Sequence, residues 1–267
     1  MDAFTSSQVA SMRIFLAFLF LSPLIIKYVK KAQFKNSKAF LTVGIIGNLI
    51  PAFLFTRAET GLNSSLAGML NSLTPPFTLL LGISIFKIKV KPLNIAGVFI
   101  GLGGAIGLLT VGNGSSFNSQ FNYGILIIIA TFFYGISVNV IKNFLGEVKP
   151  VAITVWAFMF IGPPAGMYLF STDIMDRFQT NPAALSSFGY VCILAIMGTA
   201  ISLILFNLLI KRTTALFASS ITYLVPIIAI GWGFFDGEKV EWMHFMWIIF
   251  ILLGVYLVNR KPREAVS

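Results

Sequence analysis

The chain has 267 residues, of which 57% are apolar and 10% charged, against about 25% charged in an ordinary globular domain, so a water-soluble fold of this length is excluded and lipid is the main solvent. A single cysteine, Cys192, and a single histidine, His244, rule out a disulfide framework, a Cys-based zinc site and a two-histidine metal site, and no cofactor is expected. The formal charge of +10 comes from small clusters between apolar runs and not from one patch, which argues against a nucleic-acid partner and makes the charges a topology signal.

A bilayer core about 30 Å thick needs about 20 apolar residues per helix. The chain divides into nine such spans, over 7–28, 39–55, 62–86, 92–111, 123–145, 151–170, 188–210, 215–235 and 242–258. Lipid demands a fully hydrogen-bonded backbone, and a barrel would show short alternating strands. The expected class is therefore an all-α integral membrane protein, a multispanning bundle of nine transmembrane helices. Basic residues gather in alternate connectors: Lys27 to Lys38, Lys87 to Lys91, Lys142 and Lys149, Lys211 and Arg212, and Arg260 to Arg263. The opposite connectors hold Arg57, Arg177 and Lys239, with acids such as Asp173, Asp236, Glu238 and Glu241. The positive-inside rule puts the C-terminus in the cytoplasm, and an odd helix count puts Met1 outside.

Within the first span Arg13 is a charge well inside an apolar run, which costs roughly 2.5–3.5 kcal/mol on insertion scales. It reads either as an anchor for a substrate carboxylate or other anion, or as a side chain that snorkels to headgroups about 9 Å away at 1.5 Å per residue. The second span carries Asn48 before Pro51, and the third carries Asn71, Thr74 and the pair Pro75 and Pro76. A proline removes an intrahelical hydrogen bond and frees a carbonyl; in lipid such breaks line a cavity near the midplane or serve as packing kinks. In the fourth span Gly97, Gly101, Gly103, Gly104 and Gly107 give overlapping GxxxG spacings that read as close helix packing, without the third glycine or the strand of a dinucleotide fingerprint. Tyr134, Ser137 and Asn139 follow in the fifth span, Trp156 and the pair Pro163 and Pro164 in the sixth, Thr199 and Ser202 in the seventh, and Thr222, Tyr223 and Pro226 in the eighth. Such polar side chains either hydrogen-bond a zwitterionic solute as it sheds water or tie helices together. The candidate substrate-binding set is Arg13, Asn48, Asn71, Thr74, Pro75, Asn139, Trp156, Thr199, Thr222, Tyr223 and Pro226. Asn63 and Asn113 head glycosylation triplets that act only where the machinery exists.

At an offset of 151 the chain aligns on itself, with Gly47 on Gly198, Ala67 on Ala218, Pro75 on Pro226, Gly82 on Gly233 and Gly103 on Gly254. The same shift pairs Asn48 with Thr199 and Asn71 with Thr222. Chance matching in a glycine-rich chain is the bland alternative to duplication. The second, third and fourth spans fall on the seventh, eighth and ninth, so the first pairs with the sixth and the fifth lacks an upstream counterpart. Units of five helices face opposite ways, a transporter arrangement. The expected repeats are 1–112, four helices lacking the first of a ten-helix plan, and 122–260, five helices. The missing helix also accounts for an outside placement of residues 1–12.

Three stretches carry a family resemblance: 8–17 (QVASMRIFLA), 66–75 (LAGMLNSLTP) and 217–226 (FASSITYLVP), the last two being one copy per half. Together they resemble the EamA family of the drug/metabolite transporter superfamily, with similarity over essentially the whole chain. The resemblance implies ten helices in two inverted halves and movement of small metabolites, often outward, across a bacterial plasma (inner) membrane; the departure is the absent first helix. The expected function is thus secondary transport, by alternating access, of amino acid-like or related solutes, with the lipid bilayer as surroundings. No paired carboxylates, Ser-His-Asp set or phosphate loop can be assembled, so an enzyme is not expected. The rival readings are a partner-dependent membrane subunit, acting as a homodimer or with another chain, and a lipid-headgroup carrier.

Overall fold

The computed structural model describes residues 3–29, 31–62, 64–110, 121–228 and 242–259. In chain order the helices are α1 (Ser6–Tyr28) and α2 (Phe34–Ala58), α3 (Ser64–Asn71), α4 (Thr74–Ser84), α5 (Pro92–Thr110), α6 (Phe121–Phe144), α7 (Pro150–Phe170) and α8 (Ile174–Thr180), α9 (Ala184–Arg212) and α10 (Ala215–Ile228), and α11 (Trp242–Asn259). No strand occurs among the described residues. By length and composition α1, α2, α6, α7 and α9 can cross a membrane, and α5, α10 and α11 are shorter apolar helices. The expectations at Met1, Asn63, Asn113, Gly233, the 236–241 acids and Arg260 to Arg263 lie outside the described residues.

Differences from the sequence pattern have local causes. The run expected at 62–86 is two helices, because Pro75 and Pro76 occupy the first turn of α4, where their missing N–H groups would have no intrahelical partner anyway. In α10 the chain tightens into a 3-10 turn over Ile221–Leu224 just before Pro226, again relieving the N–H that proline lacks. The short helix α8 lies between two apolar runs and has no apolar run of its own. α1 starts one residue before the expected 7, at Ser6, where a reciprocal capping box forms: the Thr5 hydroxyl accepts from the Gln8 backbone at 3.3 Å, and the Gln8 side chain accepts from the Thr5 backbone at 2.9 Å.

α7 is the centre of the bundle, with Trp156 and Phe158 fully buried. Trp156 stacks on Phe40 of α2 at 5.2 Å between ring centroids. Phe18 and Phe15 of α1 lie over Gly162 and Gly166 of α7, so closely that a Cβ on either glycine would meet a ring at 2.3 Å or 2.6 Å. Elsewhere α5 packs along α11 through its glycine stripe: Gly97 and Gly101 abut Gly254, Gly104 abuts Ile251, and Gly107 meets Trp247. Gly103 has nothing within 4 Å of a built Cβ, so it takes no part in this seam. Large apolar side chains such as Ile26, Met167, Leu185 and Tyr190 stand exposed on the outside, as lipid-facing surface requires.

At one end of the bundle, Lys211 donates to the Val148 carbonyl at 3.3 Å, and Asn94 donates to the Leu257 and Val258 carbonyls at 3.2 and 2.7 Å. These bonds join the ends of α9 and α11 to the α6–α7 turn and the start of α5. At the other end the Gln8 amide donates to Asp173 at 2.8 Å and to Thr172 at 3.1 Å, fastening the start of α1 to the α7–α8 turn.

A methyl group at position 254 would fall 2.5 Å from the Gly101 Cα and 2.7 Å from the Gly97 carbonyl oxygen, both backbone atoms that cannot swing away. Gly254→Ala is therefore expected to push α11 off α5 and to destabilise the protein by about 1–3 kcal/mol. A thermal melt in detergent checks this, with Gly103→Ala as the silent control.

Candidate functional site

A cavity of 230 Å³ opens among α1, α2, α6, α7 and α9, reached also by Asn71, Thr74 and Thr222. Its polar wall includes Arg13, Asn48, Ser137, Thr154, Thr199 and Asn207, and its apolar wall includes Phe158 and Phe206. Arg13 is the charged residue among the lining side chains. Its guanidinium crosses from α1 to α9, where Nε donates to the Thr199 hydroxyl at 2.7 Å. The side chain therefore points into the bundle, and the snorkelling alternative does not describe it.

Both long helices that flank the cavity change their winding there. α2 takes a π-helical turn over Ile45–Leu49 and α9 takes one over Ile196–Ile201. Each turn is closed by a side chain bonding five residues back: Asn48 donates to the Val43 carbonyl at 2.7 Å, and Thr199 donates to the Leu194 carbonyl at 3.2 Å. A π turn inserts one residue into the helix and shifts the register of the hydrogen bonds. A carbonyl displaced in this way needs a polar partner in lipid, and Asn48 and Thr199 supply it while still lining the cavity. Thr199 thus serves twice, donating to its own helix and accepting from Arg13.

Of the other polar groups, two threonines are held locally and Asn207 is held across to α7. Thr74 donates to the Asn71 carbonyl at 2.8 Å, Thr222 to the Ser219 carbonyl at 2.9 Å, and Asn207 to the Thr154 hydroxyl at 3.0 Å. Hydroxyls that bond back to their own helix keep acceptor lone pairs available. Just beyond α2, desolvation holds the Glu59 carboxyl above the ordinary carboxylate range, and the positive charge of Arg13 draws it part of the way back.

Of the residues expected from sequence, Arg13, Asn48, Asn71, Thr74, Thr199 and Thr222 line this one cavity. Five others are not on its wall. Asn139 turns the other way on α6 and donates to the Thr78 and Gly135 carbonyls at 3.0 and 2.9 Å. Trp156 is packed between Phe40 and Phe34, and Tyr223 donates to the Val98 carbonyl at 2.8 Å, fastening α10 to α5. Pro75 and Pro226 are buried and shape their helices without lining the cavity. Adjacent residues on a helix lie about 100° apart, which separates Thr222 from Tyr223 and Val138 from Asn139. Thr154 and Asn207 were missed by sequence reasoning; each lies about one turn from a helix end, where a polar residue reads as interfacial.

Against protein-family models, residues 1–110 and 122–260 match the EamA-like transporter family. The chain belongs to the EamA-like transporter family. This EamA-like chain is 29% identical over 242 residues to a protein of Escherichia coli (strain K12) named as the uncharacterized inner membrane transporter YedA, covering 84% of this chain and 75% of that one. It is 23% identical over 234 residues to an uncharacterized transporter of Archaeoglobus fulgidus, covering 87% of this chain and 81% of that one. A solved crystal structure shares the fold at a TM-score of 0.68 and 13% identity, over 96% of this chain and 88% of the other. The family and the relatives make the EamA-like chain an integral membrane transporter.

The two π turns differ in how much room they have. A Cβ on Gly47 would fall 2.1 Å from the Ser137 hydroxyl and 2.7 Å from its Cβ, whereas on Gly198 it would meet only the flexible Leu194 side chain at 3.0 Å. Gly47→Ala is expected to lower stability by about 1–3 kcal/mol as α2 is driven from α6, with Gly198→Ala near neutral. Paired thermal melts of the two variants measure the contrast.

Proposed function

We propose that this chain is a secondary transporter that moves small amino acid-like or related metabolites out of the cell by alternating access between two inverted repeats, 1–112 and 122–260. The observation that carries the reading is the pair of π turns. They lie 151 residues apart, at Ile45–Leu49 and Ile196–Ile201, each with the same five-residue side-chain bond, and both contribute to the lining of the cavity that holds Arg13. The helix breaks before Pro75 and Pro226 repeat at the same spacing. Two equivalent irregular helices around one cavity are what a rocking mechanism needs, since each half presents the same shape to the solute in turn.

The cargo follows from the wall. A volume of 230 Å³ is below the 300–1,000 Å³ of drug-sized pockets, which suits a small solute. The single cationic side chain with no Asp or Glu in the lining selects an anionic group, and Arg13 offers a planar fork matched to a carboxylate. Asn48, Asn71 and the threonines supply acceptors for an ammonium or hydroxyl. In this reading the chain crosses a bacterial inner membrane nine times, with its C-terminus in the cytoplasm and its N-terminus outside, as its basic connectors favour.

The test is flux of labelled neutral amino acids in proteoliposomes of the purified chain. Arg13→Ala is expected to reduce apparent affinity about ten- to a hundredfold, the worth of a hydrogen-bonded charge at roughly 1.5–3 kcal/mol, and Arg13→Lys to recover part of it. Thr199→Val, which leaves the charge but removes its orienting partner, is expected to cost about fivefold, at roughly 1 kcal/mol. Equal flux in wild type and Arg13→Ala overturns the anchor; no flux at all by the chain alone, restored by an added N-terminal helix, overturns its self-sufficiency.

A further inference from the structure

A second, larger cavity of 690 Å³ lies away from the first, between the α4–α5 connection, the end of α6, the α9–α10 turn and the end of α11. Four cationic residues line it, Lys89, Lys91, Lys142 and Arg212, and no acidic residue does. Segments from both sequence halves meet here, so the charges are gathered by the fold and not by sequence proximity. The positive-inside rule explains basic connectors in general, but it does not require them to converge on one concavity.

The four are not equivalent. Lys142 donates to the carbonyls of Ile210 and Thr213 at the end of α9, which ties its ammonium to the protein. Lys89, Lys91 and Arg212 are exposed, and their charges are available to a ligand. Asn139 also belongs to the wall, but its amide group is committed to Thr78 and Gly135, and its Oδ1 is buried beside Gly82 and not offered to the cavity. Apolar Ile88, Val90, Leu216 and Val258 share the lining. A ligand that satisfies all of this carries concentrated negative charge and some apolar substance.

We propose that this cavity binds an anionic phosphate group, the chemistry of a phosphatidylglycerol headgroup or of a free sugar or glycerol phosphate. The phosphate sits among Lys89, Lys91 and Arg212. Basic pockets between transmembrane helices hold anionic headgroups in this manner. The site is separate from the proposed transport cavity: Val138 and Ile141 line that one, Asn139 and Lys142 line this one, and α6 stands between them. Its placement at the cytoplasmic leaflet rests on the orientation proposed above, but binding itself does not.

Native mass spectrometry of the delipidated full chain, titrated with phosphatidylglycerol or phosphatidylcholine, tests the site in wild type and in the triple variant Lys89→Gln, Lys91→Gln, Arg212→Gln. Lys142 is left in place because it holds the end of α9. Wild type is expected to retain phosphatidylglycerol in preference to phosphatidylcholine, and the variant to bind it about a hundredfold more weakly, the effect of three basic residues. Glycerol 3-phosphate that binds wild type but not the variant, without phosphatidylglycerol preference, assigns the same phosphate site to a soluble source. Binding of phosphatidylglycerol and of glycerol 3-phosphate that is equal in both proteins, or wild type with neither a phosphatidylglycerol preference nor glycerol 3-phosphate binding, overturns the proposal. A monodisperse variant with wild-type amino acid flux keeps this outcome apart from any failure of the transport reading, since none of the three residues lines the first cavity.

Discussion

The hydrocarbon core of a bilayer donates and accepts no hydrogen bonds, so every polar group there that leaves the regular helix must find a partner inside the bundle. This constraint explains where the protein is irregular. The π turns of α2 and α9 occur beside polar side chains that close them, Asn48 on Val43 and Thr199 on Leu194. The start of α4 at Pro75 and the 3-10 turn of α10 before Pro226 fall where proline's missing N–H costs nothing further. Arg13 persists in an apolar run because Thr199 receives its Nε–H and the cavity receives the rest of its fork.

Packing between apolar helices in lipid gains little from burying more apolar surface, so close approach must supply the cohesion. The chain achieves it in two ways. Along α5 and α11, glycine meets glycine and backbones touch; along α1 and α7, phenylalanine rings of one helix lie on glycines of the other. The first seam holds the outer pair of helices and the second holds Arg13's helix against the central α7. The helices that bear the π turns, α2 and α9, instead contact the cavity along part of their length. The close seams thus lie on α5, α11, α1 and α7, and the π turns on α2 and α9.

Much of the site was readable because membrane sequences contrast sharply: a charge, an asparagine or a proline stands out in an apolar run. Arg13, Asn48, Asn71, Thr74, Thr199 and Thr222 all announced themselves in this way. The five residues that lie elsewhere failed for one geometric reason. Depth in the membrane can be counted from sequence, but which face of a helix meets the cavity is set by packing, even in an uninterrupted helix such as α6. Tyr223 and Asn139 share the depth of their neighbours Thr222 and Val138 and face other helices. Thr154 and Asn207 were hidden for the complementary reason, since polarity near a helix end looks like the interface.

Composition was enough to decide the solvent, the helical class and the polarity of the connectors, because the cost of apolar surface in water and of charge in lipid depends on residue type alone. The 151-residue self-similarity was equally a property of the string. Which polar residues share a cavity, which glycines touch, and that the basic connectors from both halves converge around Asn139 were decided by helix rotation and crossing. Those depend on distances between segments far apart in the chain, and a one-dimensional pattern carries no information about them until the helices pack.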